Sequence, residues 1–187
     1  MFVRTLIVNG SPRPNGDTVA LLRALKEGLE GEVVELSAFR SNISPCIDCR
    51  KCSDTGKCII HDDMDIIYGD DFDNVVLAAP IYYSTLPGQV LSLMSRFQNQ
   101  RAFGRTLPKE DLKLKAKRGA LILLGGEKHN EQGAIRSSSI FFRMVGAEQS
   151  WREHIVMSLD TDKIPACEDE AALAAARDLA SWLEGER

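Results

Sequence analysis

A chain of 187 residues is long enough for one domain with a proper core, and 44% hydrophobic against 27% charged residues argues against disorder. The formal charge of −4, from 23 basic and 27 acidic residues, disfavours non-specific nucleic-acid binding. No apolar run is long enough to span a bilayer, and the N-terminal MFVRTLIVNGSPR is short and broken by Arg4, so it reads as a strand and not a leader. The expectation is a cytoplasmic protein with no membrane or nucleic-acid partner.

The predicted elements alternate along the chain. Residues 3–8 form a β-branched strand ending in Asn9-Gly10, and 17–29 have helical spacing with Val19, Leu22, Leu25 and Leu29 on one face. A short strand over 32–36 follows. After the acidic pair Asp62-Asp63, residues 64–68 open a second helix. NVVLAA (74–79) and GALILL (119–124) are apolar throughout, as expected of parallel strands covered on both faces. Between them, 88–97 reads as a helix with Val90, Leu91, Met94 and Phe97 apolar. Residues 98–118 form a polar, Lys/Arg-rich connection that reads as a solvated loop or as a cover over a partner subunit's site. A helix over 133–145, a weaker strand over 151–157 and an Ala-rich amphipathic helix over 168–183 complete the chain. Five strands alternating with helices predict an α/β three-layer sandwich in one domain, residues 1–187, with a cysteine-rich loop at 45–62.

Ligands of an open parallel sheet bind beyond the carboxyl ends of the strands. The loop 9-NGSPRPNGDT-18 leaves such an end and enters a helix, whose free N–H groups and dipole suit a phosphate. Gly10 and Gly16 permit unusual backbone angles, Ser11 and Thr18 bring hydroxyls, and Arg13 brings a guanidinium fork. Neither GxxxxGK[ST] nor GxGxxG is present, which disfavours a nucleoside triphosphate or a dinucleotide here. Taken alone the loop is also an ordinary Pro/Gly turn with Asp17 or Thr18 as the helix cap. Its place after the first strand favours phosphate.

GSPRxxGxT in this position resembles the FMN-phosphate loop of the flavodoxin-like NADPH-dependent FMN reductase family. The resemblance implies FMN as cofactor, sheet order 2-1-3-4-5, and phosphate contacts from Ser11, Arg13, Gly16, Asp17 and Thr18. Asp17 departs from the usual Asn or Tyr, and is compatible if it points away, caps the helix or pairs with Arg13. The stretch 80-PIYYSTLPGQVLSLMSR-96 resembles the family's second flavin loop through Pro80, Tyr82, Gly88 and Arg96, and departs from it at 91–95. Backbone N–H groups over Pro80, Ile81, Tyr82, Tyr83 and Ser84 suit the polar edge of a flavin, and a tyrosine can pack on its ring. A third loop, 124-LGGEKHNEQG-133, offers Gly125 and Gly126 for close approach to a ligand. His129 in it reads as a solvent-facing histidine.

Four of five cysteines lie at 46, 49, 52 and 58, in 46-CIDCRKCSDTGKC-58. This C-x2-C-x2-C-x5-C spacing suits four thiolates around one compact group, with Gly56 turning the loop back. An iron–sulfur cluster fits the overlapping triplet better than zinc, whose sites usually use two separated C-x2-C knuckles. A metal-free loop covering the flavin is the third reading. Cys167 stands apart as an ordinary thiol. The segment 45–64, PCIDCRKCSDTGKCIIHDDM, resembles the iron-sulfur flavoprotein branch of the same family. That implies a [4Fe-4S] cluster on Cys46, Cys49, Cys52 and Cys58, exchanging electrons with FMN.

The resulting expectation is an FMN-dependent oxidoreductase that takes electrons from NAD(P)H and passes them to a [4Fe-4S] cluster or to a small or ferredoxin-type acceptor. The alternatives are a cluster-free NAD(P)H:FMN or quinone reductase and a non-catalytic carrier or redox sensor. The resemblance also implies a homodimer or homotetramer.

Overall fold

The computed structural model describes residues 3–69, 71–99, 115–127 and 130–185. His129 and most of the 98–118 connection lie outside the described residues. The strands are β1 (Arg4–Asn9), β2 (Glu32–Ser37), β3 (Asn74–Pro80), β4 (Arg118–Gly125) and β5 (Ile155–Leu159). The helices are α1 (Asp17–Glu27), α2 (Cys52–Thr55), α3 (Met64–Tyr68), α4 (Gly88–Ser95), α5 (Gln132–Met144) and α6 (Glu170–Glu184). All four strand pairings are parallel, in the order β2-β1-β3-β4-β5.

The apolar runs in β1, β3 and β4 exist because successive side chains point to opposite faces and both faces are buried. Leu6, Val8, Val75, Leu77, Leu121 and Leu123 pack beneath α3, α4 and α5. Ile7, Val76, Ala78, Ile122 and Leu124 pack against Leu21, Leu22 and Leu25 of α1 and Leu179 and Leu183 of α6. This is the three-layer sandwich that the alternation of elements predicts.

Two details differ from the sequence reading. Trp151 does not begin a strand: residues 151–153 form one 3-10 turn and β5 starts at Ile155. Trp151 is instead fully buried, stacked on Phe142 with ring centroids 5.0 Å apart, and only the missing side chain of Gly119 lets it lie so close to β4. A bulky aromatic in a β-like sequence was drawn into the core by packing, which overrides local propensity. On α4, Leu91 faces outward and Leu93 takes the buried position beside Val90.

Phe142 touches Phe141 edge-on as well as Trp151. Phe142→Ala is expected to cost about 3–5 kcal/mol, read as a lowered urea midpoint with the slope unchanged.

Candidate functional site

Parallel pairing brings the loops that follow all five strands to one edge of the sheet. A cavity of about 190 Å³ lies there, lined by Ser11, Arg13, Asp17 and Thr18 from the first loop, by Pro80, Ile81 and Tyr82 from the end of β3 and the loop after it, and by Gly126. Eight of the twelve residues that the sequence nominated for the cofactor therefore share one cavity. Gly16, Tyr83, Ser84 and Gly125 are close in sequence but do not line it.

The first loop is held rigid from below. Lys26 pairs with Glu35 at 2.8 Å, Glu35 accepts from Asn9 Nδ2 at 2.7 Å, and Asn9 Oδ1 accepts from Ser11 N–H at 2.9 Å. Burial would raise the Glu35 carboxyl, but the hydrogen bonds from Lys26 and Asn9 hold it below the usual range. Ser11 Oγ accepts from Arg13 N–H at 3.2 Å. The backbone N–H groups of Asn15, Gly16, Asp17 and Thr18 find no acceptor among the described residues. They form the unpaired start of α1, the arrangement that receives phosphate.

Gly10 and Gly16 do not use left-handed angles, contrary to the sequence reading. They are needed for space: a Cβ on Gly10 would meet Val90 Cγ2 at 2.7 Å, and one on Gly16 would meet Arg13 Cβ at 3.0 Å and reach toward Ser11 Oγ at 3.7 Å. A concave cradle with free N–H donors and the Arg13 fork beside it fits a phosphate ester. At about 190 Å³ it holds the phosphate and its chain, while a complete drug-sized ligand takes roughly 300–1,000 Å³.

Asp17 answers the question that its position raised. Its Oδ1 accepts from Ala166 N–H at 2.9 Å, and its Oδ2 lies 3.8 Å from Arg13 Nη2. The carboxylate ties the first loop to the segment before α6. That segment supplies two lining residues that the sequence reading missed, Thr161 and Asp162. Gly126 is bare because the Asp162 carboxylate would lie 2.7 Å from a Cβ there, so this close approach is taken by the chain itself. Gly125 serves as an acceptor for the N–H groups of Asp160 and Thr161.

After β3 the chain makes a two-residue turn. Tyr82 and Thr85 exchange backbone hydrogen bonds of 2.9 and 3.0 Å, with Tyr83 (φ 48°) and Ser84 (φ 61°) both left-handed. Such turns normally use Asn or Gly, and each ordinary residue there costs about 1–3 kcal/mol. The turn is clamped by α5, where Gly133 has no room for a Cβ against Ser84 O and Ser137 Oγ lies 3.3 Å from Thr85 Oγ1. The Tyr83 side chain is fully exposed beside the cavity, and the Tyr83 and Ser84 N–H groups have no acceptor among the described residues. Backbone strain of this kind clusters at active sites and ligand clamps.

The cysteine loop leaves β2 at the same edge. Cys46, Cys49, Cys52 and Cys58 are free thiols that line one cavity of about 430 Å³. Asp48, Arg50 and Gly56, all at positive φ, coil the loop around it, with Gly56 in the turning role that the sequence assigned. Burial raises the Cys52 thiol, and the other three cysteines add to the effect. Among the described residues, no three Cys, His, Asp or Glu side chains converge closely enough to hold a metal ion. The donor set, four cysteines on one cavity, is chemically that of a zinc or an iron–sulfur site, with the thiols spread around the cavity wall.

The stems of this loop rest on a buried ion pair, Arg96–Asp62, at 2.7 Å with side chains 0% and 3% exposed. Burial alone would raise the Asp62 carboxyl. Hydrogen bonds from Ser44 N–H, the Arg96 guanidinium and Met64 N–H hold it below the usual carboxylate range. Tyr68 donates to Arg96 O at 3.0 Å, and burial pushes its phenol up to about 12.

The parallel sheet in this strand order, with binding loops at its carboxyl edge, defines a flavodoxin-like protein. The chain belongs to the NADPH-dependent FMN reductase family, whose model matches residues 3–156. It is similar to an iron-sulfur flavoprotein of Methanocaldococcus jannaschii (30% identity over 137 residues, 70% of this chain and 66% of that one). It is also similar to an iron-sulfur flavoprotein of Methanosarcina thermophila (31% over 132 residues, 67% and 64%). The match thus spans a little under two thirds of the length of these relatives. Among solved structures, the chain shares its fold with an NAD(P)H:quinone oxidoreductase from Methanothermobacter marburgensis (TM-score 0.69, 14% identity, all of both chains). The same holds for an FMN-dependent NADH-azoreductase from Bacillus anthracis in complex with FMN (TM-score 0.65, 17% identity, 97% of this chain and 100% of that one). Among the described residues no helix is long and apolar enough to cross a membrane.

Asp62→Asn is expected to destabilise the fold by about 3–5 kcal/mol near neutral pH, because it leaves Arg96 buried without its counter-charge. The Asp62 carboxyl titrates lower in the folded chain than its unfolded value of about 3.9, so its contribution is complete above that value and is lost as pH falls through the folded one. The gap between wild type and variant in urea midpoint therefore narrows on acidification; a gap of equal size at neutral pH and at about pH 3 would contradict this assignment.

Proposed function

We propose that this protein is an FMN-dependent oxidoreductase that takes electrons from NAD(P)H and delivers them to a [4Fe-4S] cluster on Cys46, Cys49, Cys52 and Cys58, or to a small acceptor. The observation that carries the flavin part is the cradle of four unpaired N–H groups at the start of α1, backed by Ser11 and Arg13 and facing the strained 82–85 turn across one cavity. Family membership agrees with it. Bound FMN would supply hydride acceptance at its ring and release of electrons singly or in pairs.

The chain's own residues bind and orient. Ser11, Arg13 and the N–H groups from Gly16 to Thr18 would hold the phosphate, and the α1 dipole favours its charge. Pro80 to Ser84 would face the flavin edge with backbone donors. Asp17, with Oδ1 engaged by Ala166 N–H and Oδ2 near Arg13, would close the site on the β5 side. Tyr83, whose side chain is fully exposed, would cover a flat ring or meet the nicotinamide. No side chain is required to move a proton in hydride delivery.

A second reading is favoured by a specific observation: the four thiols do not converge on one point. In that reading the protein is a cluster-free NAD(P)H:FMN or quinone reductase and the loop serves as a cover. A carrier without its own NAD(P)H turnover is the remaining alternative. A homodimer or homotetramer in the cytoplasm is part of the proposal, with a ferredoxin-type protein among the candidate acceptors.

The visible spectrum of protein purified without oxygen separates these readings. The cluster reading expects flavin bands on a broad brown absorbance that bleaches with dithionite; flavin bands alone favour the cluster-free reductase. A colourless chain that cannot be loaded with FMN would overturn the flavin site itself. Arg13→Ala is expected to weaken FMN binding roughly fivefold, about 1 kcal/mol, since the side chain is largely exposed and screened, with a larger effect at low salt. Flavin fluorescence titration at two ionic strengths measures it.

A further inference from the structure

We propose that Arg96 is the positioning residue of the cysteine cavity: its guanidinium binds both stems of the 46–58 loop and keeps its Nε–H free for an anionic sulfur of the iron–sulfur group. This inference rests on the cluster reading above.

The geometry of the fork is the first support. Nη1 donates to Ser44 O at 3.0 Å and to Asp62 Oδ2 at 2.7 Å, while Nη2 donates to Ile60 O at 2.9 Å. Ser44 lies two residues before Cys46, and Ile60 two residues after Cys58. One planar group thus fixes the entry and exit of the loop, which a flexible ammonium cannot do across the same span. Adjacent residues extend the grip: Ser95 Oγ accepts from Cys46 N–H at 2.9 Å, and Asn99 Nδ2 donates to Gly56 O at 3.3 Å.

The second support is what the fork leaves unused. Arg96 is fully buried and lines the same cavity as the four thiols, yet its Nε has no hydrogen-bond partner. Buried donors are nearly always satisfied, and an orphan in a native structure calls for a reason. Four thiolates with a cluster carry net negative charge, and a guanidinium N–H is the donor type that pairs with it. The Arg96–Asp62 pair is therefore more than a structural clamp: Ser44, Asp62 and Ile60 occupy Nη1 and Nη2, and Nε is the donor left over beside the cavity that Arg96 lines.

The test uses the full chain loaded with FMN and, where needed, reconstituted anaerobically with ferrous iron and sulfide. Wild type is labelled with guanidino-15N arginine and reduced with dithionite, and its pulsed EPR spectrum is expected to show a 15N coupling to the paramagnetic centre. Arg96→Lys keeps the charge but loses the fork. It is expected to retain FMN and the far-UV circular dichroism of wild type while holding severalfold less iron and acid-labile sulfide per chain. A cluster with no 15N coupling in wild type, or an Arg96→Lys chain with full iron and an unchanged EPR signal, overturns the role of Arg96. Wild type that takes up no iron and sulfide overturns the cluster reading, and this proposal with it. Should the variant fail to fold, Arg50→Lys labelled alike decides, because Arg50 lines the same cavity: a coupling that persists in it belongs to Arg96, and one that vanishes overturns the role of Arg96.

Discussion

Burial of the central strands on both faces is the constraint from which the rest follows. With helices over each side of β1, β3 and β4, these strands can be apolar at every position, and backbone polar groups are spent in the parallel ladders. Free backbone donors can exist only where strands end. The parallel arrangement sends all of those ends to one edge, so the candidate binding loops gather there without any residue having to reach across the molecule. The phosphate cradle, the Tyr82–Thr85 turn and the cysteine loop are separate in sequence but neighbours for this reason.

Helix α4 connects two of them. It begins at Gly88, just after the strained turn, and ends at Ser95, where Ser95, Arg96 and Asn99 take hold of the cysteine loop. Eight helical residues span about 12 Å. A flavin at the first end and a redox group at the other would thus be separated by a short rigid element, with no hinge between. Its packing through Val90 and Leu93 fixes its direction, and Gly10 is bare so that Val90 can sit beside the first loop. The same helix therefore sets the distance between the two candidate sites and the shape of the cradle.

Much of this was legible before any coordinates. Apolar runs ending in Gly or Pro marked β1, β3 and β4, and the position of Ser11, Arg13 and Thr18 after the first of them marked the cavity. The illegible parts depended on contacts between distant residues. Trp151 looks like the start of a strand because aromatic residues favour strands; packing on Phe142 put it in the core, and the end of β5 moved from Met157 to Leu159. Thr161 and Asp162 were missed with it. Asp62 resembled an ordinary acid ahead of a helix, since nothing local signals a partner 34 residues away. The left-handed Tyr83 and Ser84 carried no sign of their conformation, being neither Gly nor Asn; only the clamp from α5 imposes it.

The cysteine loop itself is held at its stems and not at its tip. Its anchors are Ser44, Cys46 N–H, Gly56 O and Ile60, together with the Arg96–Asp62 pair, and none of them is a thiol. In small metal-dependent domains the metal is the fold, and the apo chain is unfolded. Here the loop stems are anchored by hydrogen bonds and the Arg96–Asp62 pair, so binding a cluster would order only the thiols between them. That division explains how the chain can have a finished fold while its four sulfurs line a common cavity without converging.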